Sequence, residues 1–206
     1  MRSFSTARLA WIGIFLAVFV WSGIRPADYP IWVLEVLPAV IGAGVLSASR
    51  ETFPLTPLVY VLILIHCVIL MVGGHYTYAE VPLFDWIRDE FDLTRNNYDK
   101  LGHFAQGFVP AMIAREIAIR KKIFNKAFWR DFFVVSFCLG FSAFFEMFEW
   151  WVAVLSESTA DAYLATQGYV WDTQSDMWWA LVGAVLALLF LGRWHDRQMS
   201  SRGFSE

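Results

Sequence analysis

The sequence predicts an all-α fold: a polytopic transmembrane helix bundle with six spans and a short amphipathic interfacial helix. Of its 206 residues, 58% are hydrophobic and the mean hydropathy is +0.49, whereas an ordinary soluble domain is roughly 45–50% apolar. Apolar runs close to the about 20 residues needed to cross a bilayer recur along the chain. Lysine and arginine are also distributed very unevenly between the loops. These observations predict a single integral membrane domain over residues 1–206, with the lipid bilayer as partner and no nucleic-acid partner.

The predicted spans cover residues 8–24, 31–48, 55–74, 99–119, 131–155 and 175–194. The first is interpreted as a retained helix, because the stretch before Arg25 and Pro26 lacks a small-residue cleavage pattern. Pro38 and Pro110 lie inside the second and fourth spans, which membrane helices tolerate when neighbouring groups satisfy the freed carbonyls. Between the third and fourth spans, Phe84, Ile87 and Phe91 recur at helical spacing and predict an amphipathic helix at the membrane surface.

The distribution of basic residues predicts that both termini are cytoplasmic. Twelve of the sixteen lysines and arginines fall on the predicted inner side and only four on the outer side. The outer four are Arg25, Arg88, Arg95 and Lys100. Acidic residues show the opposite bias, with fourteen of nineteen outside. Since the positive-inside rule does not depend on acidic residues, their placement needs a separate explanation.

Three predicted helices each carry a pair of ionisable residues near the outer face. The members of each pair are three or four positions apart, so they share one helix face. The pairs are Asp99 and His103, Glu146 and Glu149, and Asp172 and Asp176. Ionisable groups at membrane depth are costly unless paired, and so indicate function. The sequence therefore predicts that these six residues form one catalytic or metal-binding site, with His75 and Gln106 at its rim.

Helix capping explains only part of this pattern. Asp99 and Asp172 suit the first turn of a helix, where acidic residues favour the dipole. Glu146 and Glu149 precede a helix C-terminus, where the dipole disfavours anions. His103 and Asp176 lie one turn inside their helices, where capping does not apply.

The residue types fit two kinds of chemistry. Carboxylates and an imidazole bind divalent metals in helical bundles, although the spacing here differs from the di-iron Glu-x-x-His pattern. The same groups form an acid–base pair, in which crowded carboxylates share protons when no metal is bound. Cys67 and Cys138 lie inside apolar runs, so a thiolate-bound zinc at the outer face is excluded.

His195 closes the last helix on the basic side and is interpreted only as an anchor.

Three segments around these residues resemble the YjdF-like family of bacterial inner-membrane proteins. They are Tyr98-Asp99-Lys100-Leu101-Gly102-His103-Phe104-Ala105-Gln106-Gly107, Glu146-Met147-Phe148-Glu149-Trp150 and Trp171-Asp172-Thr173-Gln174-Ser175-Asp176-Met177. The resemblance covers nearly the whole chain and implies an inner-membrane location, but it implies no activity, because this family has none assigned.

In coarser form the chain is similar to VanZ-like proteins, which carry Asp-Lys-x-x-His on one helix, a Glu on the next and Asp-x-x-x-Asp before a last helix. That similarity suggests substrates at the outer leaflet. VanZ-like proteins usually have an arginine before the final acidic pair. None stands between Glu149 and Asp176, which argues against an arginine in the site.

Three functions are compatible with this sequence. The site acts on or binds an envelope lipid or lipid-linked headgroup, with the carboxylates as metal ligands or base and His103 as proton donor or ligand. Alternatively, it is a proton or cation relay of a small-solute or ion transporter. In the third alternative the protein is a non-catalytic envelope assembly or stress factor. The absence of a visible internal repeat and the apolar sequence after Gln106 argue against the relay. The oligomeric state is left open.

Overall fold

The structure, a computed structural model, describes residues 6–155 and 166–204, and its described part is all-helical. The described residues form seven α-helices: α1 (Thr6–Ser22), α2 (Tyr29–Ser49), α3 (Pro57–Tyr76), α4 (Pro82–Glu90), α5 (Tyr98–Arg120), α6 (Ala127–Leu155) and α7 (Asp172–Ser200). A short 3₁₀ helix, Tyr78–Glu80, follows α3. Part of the predicted second outer loop, residues 156–165, lies outside the described residues.

Four helices, α2, α3, α6 and α7, are long and apolar enough to cross a membrane. At 17 residues, α1 is apolar but shorter. The 23-residue α5 is long enough but carries many polar residues. Most of these polar side chains, including Asp99, His103 and Arg115, are buried among the other helices. Each of the six predicted spans therefore overlaps one helix. Four of these six helices are long and apolar enough to cross a membrane.

The helix ends differ from the prediction in one instructive way. The last helix begins at Asp172 rather than at residue 175 and continues to Ser200 rather than residue 194. It is 29 residues long, about 44 Å at 1.5 Å per residue, which exceeds the about 30 Å hydrocarbon core. Hydropathy locates the apolar part of a helix, whereas the hydrogen-bonded helix continues into the polar region at both ends.

The bundle is organised around the α5–α7 pair. Small residues on α7, Ala180, Gly183, Ala184 and Ala187, are buried at this interface. A Cβ at Gly183 would collide with the backbone carbonyl of Phe104, so glycine permits this close approach. Small residues at helix interfaces are the usual means by which membrane helices pack.

The remaining helices surround this pair. On one side α3 packs against α5, and α1 and α2 pack against α3; on another side α6 packs against both α5 and α7. The apolar core between these helices contains Met71, Met112 and Cys138, all essentially inaccessible. Cys67 and Cys138, which lie inside apolar runs of the sequence, are buried free thiols. Outside the core, α6 exposes a row of phenylalanines, among them Phe137, Phe141 and Phe144, the kind of large apolar surface that faces lipid.

The predicted amphipathic helix is present as α4, and its position at the membrane surface stays a prediction. Phe84 on α4 packs edge to face on Tyr98, with ring centroids 5.2 Å apart. Leu83 and Trp86 remain exposed. The α4–α5 loop is fixed by the fully buried Asn96, whose side-chain amide donates to the Val81 carbonyl at 3.1 Å. This loop places the residues before α5 over the end of the bundle.

Candidate functional site

The six ionisable residues that the sequence predicts to form a site are all buried at one end of the bundle. Each is 9% exposed or less. Two are in the first turns of α5, two near the C-terminal end of α6 and two in the first turns of α7. They are Asp99, His103, Glu146, Glu149, Asp172 and Asp176.

His103 lies at the centre of this cluster. Its Nε2 is 3.5 Å from Asp99 Oδ1 and 3.4 Å from Glu146 Oε1. Its Nδ1 is 3.0 Å from Gln106 Oε1. An amide oxygen can only accept, so Nδ1 carries a proton and donates it to Gln106. This hydrogen bond fixes the ring with Nε2 aimed at two carboxylates.

Arg95, in the loop before α5, also belongs to the site. Its guanidinium pairs with Asp172 Oδ1 and lies 3.9 Å from Asp99 Oδ2, joining the N-termini of α5 and α7. The inference that the site lacks an arginine is therefore wrong. That inference considered only residues 149–176, whereas Arg95 comes from the preceding outer loop. Because Arg95 stands four residues before Asp99, the sequence did contain a signal that the two side chains could meet.

Glu35 on α2 is a further buried carboxylate, which the sequence did not assign to the site. Its carboxyl group lies close to the Tyr78 side chain and interacts with it electrostatically. The Tyr78 ring fills a slot between α3 and α5, because a Cβ at either Gly73 or Gly102 would collide with it. Glu35 has no ionisable partner at helical spacing in α2, so no local pattern revealed it.

A cavity extends from this cluster into the bundle. Its polar wall is formed by residues of α2, α3, the 3₁₀ helix, α5 and α6: Glu35, His66, Tyr78, Asp99, His103, Gln106 and Glu149. Its apolar wall includes Pro38 and Leu70 on one side and Phe141 and Phe145 on the other. Pro38 and Phe141 lie near the middle of α2 and α6, and both are exposed. The cavity lining therefore combines buried ionisable groups at one end of the bundle with exposed apolar residues near the middle of two long helices.

His75 lies apart from the other predicted site residues. Its Nδ1 is 3.0 Å from the Ser22 carbonyl oxygen, and its ring packs on Trp21 with centroids 4.5 Å apart. His75 does not line the cavity. The other predicted rim residue, Gln106, contacts His103 directly.

The opposite end of the bundle contains a second buried ionic cluster, centred on Glu116. Its carboxylate accepts from the Thr56 hydroxyl at 2.7 Å, from Arg120 at 3.0 Å and from His195 Nε2 at 3.0 Å. Arg115 donates to His195 Nδ1 at 2.9 Å. Glu116 and His195 are completely inaccessible. The interpretation of His195 as a mere anchor is wrong, because it joins α7 to the buried charge of α5.

The fold and its buried polar cluster define a helical membrane protein. The chain belongs to the family described as "Predicted membrane protein (DUF2238)", whose family model matches residues 7–197. It is similar to "Inner membrane protein YjdF" of Escherichia coli (strain K12), with 46% identity over 186 residues, which are 90% of this chain and 89% of that protein. No solved structure matches the chain significantly. A relationship to VanZ-like proteins is not shown.

Proposed function

We propose that this protein is a multi-pass inner-membrane protein that binds an envelope lipid or lipid-linked headgroup at its extracytoplasmic face. The proposed topology has six crossings and cytoplasmic termini, supported by the twelve-to-four distribution of basic residues. The inner-membrane location is supported by the name of the Escherichia coli relative. α5 crosses despite its polar residues, because these face the bundle interior.

The observation that carries this proposal is the mixed lining of the cavity, which is ionisable at one end and apolar and exposed at Pro38 and Phe141. In the proposed topology, Pro38 and Phe141 lie at the depth of the lipid chains, whereas Gln106 and His103 belong to the polar part of the same lining. An apolar chain beside Pro38 and Phe141 and a polar headgroup among the carboxylates would match the two ends of a lipid.

The charge of the site selects the headgroup. Six buried carboxylates, those of Glu35 and the five acidic residues predicted from the sequence, are accompanied by one buried arginine, Arg95. Such a site favours a headgroup rich in hydroxyl or amino groups, and it repels a phosphate unless a cation intervenes. His103 and its neighbouring carboxylates are also placed to move a proton to or from the headgroup.

A proton or cation relay is the second candidate, because α5 and α7 bury an ionisable cluster at each of their ends. The layer between the clusters argues against it. Val109, Ala111 and Met112 on α5 and Ala184 and Ala187 on α7 are apolar and at most 4% exposed. A conducting path requires polar groups or water through this layer.

Photo-crosslinking tests the lipid proposal. A photoreactive phenylalanine analogue at position 141 reports on the exposed edge of the cavity. The same analogue at position 137, one turn earlier, reports on the exposed surface of α6 outside the cavity lining. After irradiation in native membranes, mass spectrometry identifies the attached lipids. We expect one lipid class to be enriched at least threefold at position 141 over position 137.

A site variant separates recognition from mere access. Glu149→Gln removes a carboxylate from the polar wall without changing its shape, and we expect it to abolish the enrichment at position 141 while leaving adducts at position 137 unchanged. The same lipid composition at both positions, or an enrichment that survives in the Glu149→Gln variant and in a His103→Ala variant, would overturn the proposal.

A further inference from the structure

His103 and two neighbouring carboxylates have the geometry of a metal site. Asp99, His103 and Asp176 each offer one ligand atom, and these atoms all lie within 4.8 Å of one another. All three residues are buried, at 6%, 5% and 2% exposure. Because α5 supplies two of them and α7 the third, the site lies across the most closely packed helix pair of the bundle.

The orientation of His103 points to a cation at its Nε2. Since Nδ1 donates its proton to Gln106, the neutral ring presents a lone pair at Nε2. That lone pair faces oxygens of Asp99 and Glu146 at 3.5 and 3.4 Å. A lone pair facing two carboxylates is repelled, so a proton or a metal ion must lie between them. A histidine whose other nitrogen donates to a neighbouring oxygen is the usual form of a metal ligand.

Unsatisfied oxygens favour the metal ion over the proton. Asp176 Oδ1 and Glu146 Oε1 are buried and have no hydrogen-bond partner among the described residues. A single proton on Nε2 bonds to one or two oxygens and leaves Asp176 unsatisfied. A buried oxygen without a partner costs about 1–3 kcal/mol, and more when it is charged. A metal ion satisfies several oxygens at once.

Arg95 does not supply the positive charge between His103 and the carboxylates. Arg95 pairs with Asp172 and approaches Asp99 through Oδ2, on the other side of the carboxylate from the Oδ1 that faces His103. The separation of 3.5 Å between His103 Nε2 and Asp99 Oδ1 matches the about 3.4 Å between two ligand atoms bound tetrahedrally at about 2.1 Å.

We propose that Asp99, His103 and Asp176 bind one divalent transition-metal ion of the zinc class, with Glu146 beside the open coordination position. Imidazole with carboxylate oxygens suits zinc, manganese or iron better than calcium or magnesium. Three protein ligands and an open position are the pattern of catalytic zinc sites. The ion makes the acidic site able to accept a phosphate-bearing headgroup, so this inference deepens the proposed function and rests on the same site.

The test is metal binding by protein purified in detergent with a histidine-free tag. Equilibrium dialysis against Zn²⁺ followed by elemental analysis gives stoichiometry and affinity. We expect one zinc per chain in the wild type, and at least tenfold weaker binding in Asp176→Asn and His103→Ala. His75→Ala is the matched control, because His75 lies at the same end of the bundle but is bonded to Ser22; its binding should equal that of the wild type.

A spectroscopic measurement on the wild type keeps the test independent of variant folding. X-ray absorption at the zinc edge should show one imidazole among oxygen ligands. Equal affinity in all four proteins, no bound zinc, or a first shell without imidazole would overturn the metal site.

Lipid adducts at position 141, measured on a chain that is otherwise wild-type, separate the two proposals. Absence of zinc with an enriched lipid adduct rejects the metal site alone. Bound zinc without lipid enrichment rejects the lipid proposal and leaves the metal site standing.

Discussion

His195 donates from Nε2 to Glu116 Oε2 at 3.0 Å, although the two residues are 79 positions apart in the sequence. Arginine can only donate, so the contact from Arg115 makes His195 Nδ1 an acceptor and places the ring proton on Nε2. His195 is therefore a neutral link between a buried cation and a buried anion. It ties the C-terminal ends of α5 and α7 together, while Arg95 ties their N-terminal ends.

We expect Glu116→Gln to destabilise the bundle by about 2 kcal/mol, since hydrogen bonds to a charged group contribute about 1.5–3 kcal/mol each and an unbalanced buried cation remains. Thermal unfolding in detergent measures the change. Glu51→Gln is the matched control, because Glu51 is 80% exposed and pairs only with Arg50, and such pairs contribute little. Equal melting temperatures of the two variants would show that the Glu116 network is not stabilising.

Replacing glycine by alanine should lower the stability of the bundle inside the α5–α7 contact but not outside it. A Cβ at Gly107 would collide with the Ala180 carbonyl, and one at Gly183 with the Phe104 carbonyl. Gly107→Ala and Gly183→Ala should each destabilise by about 1–3 kcal/mol, the usual cost of overpacking. At Gly140 and Gly192 a Cβ meets nothing within 4 Å, so alanine there should leave the melting temperature unchanged or raise it. A loss of stability at all four positions would mean that helix spacing is not the cause.

Removing Arg95 should disturb both the site and the stability of the fold. Arg95→Ala leaves Asp172 as an unpaired buried carboxylate, and we expect a loss of about 3 kcal/mol. Arg88→Ala is the control, since the Arg88 side chain is 33% exposed and pairs with Asp85 and Asp89 at the surface; its cost should stay below about 1 kcal/mol.

A double variant identifies the cause of the Arg95 effect. Arg95→Ala combined with Asp172→Asn removes both charges, so part of the stability should return. If the two single effects simply add in the double variant, the ion pair does not account for the loss.

The sequence predicted those features that depend on local spacing and depth. Pairs such as Asp99 and His103 share a helix face because they are four residues apart, and hydropathy placed all three pairs at the same membrane depth. The structure brings them to one end of the bundle. His75 has the same depth but faces α1, since depth does not determine in which direction around the helix axis a side chain points.

The features that the sequence missed depend on packing between distant segments. Glu35 reaches the site through Tyr78, from a helix without a second ionisable residue at helical spacing. Thr56, Glu116 and His195 meet only because α3 begins at the level where α5 and α7 end. Each of these residues looks in isolation like an ordinary charge or polar group near a loop, so only tertiary structure distinguishes it.

The proposed topology predicts opposite outcomes for two reporter fusions. A reporter enzyme that is active only outside the cytoplasm should be inactive when fused to the C-terminus, because α7 is followed by Arg202 and ends on the predominantly basic side. The same reporter inserted after Asp92, in the α4–α5 loop, should be active. A cytoplasmic reporter at both positions should give the reverse pattern, which controls for expression. Strong activity of the first reporter at the C-terminus would place α7 in the opposite orientation and would move the carboxylate cluster to the cytoplasmic face, where an outer-leaflet lipid could not reach it.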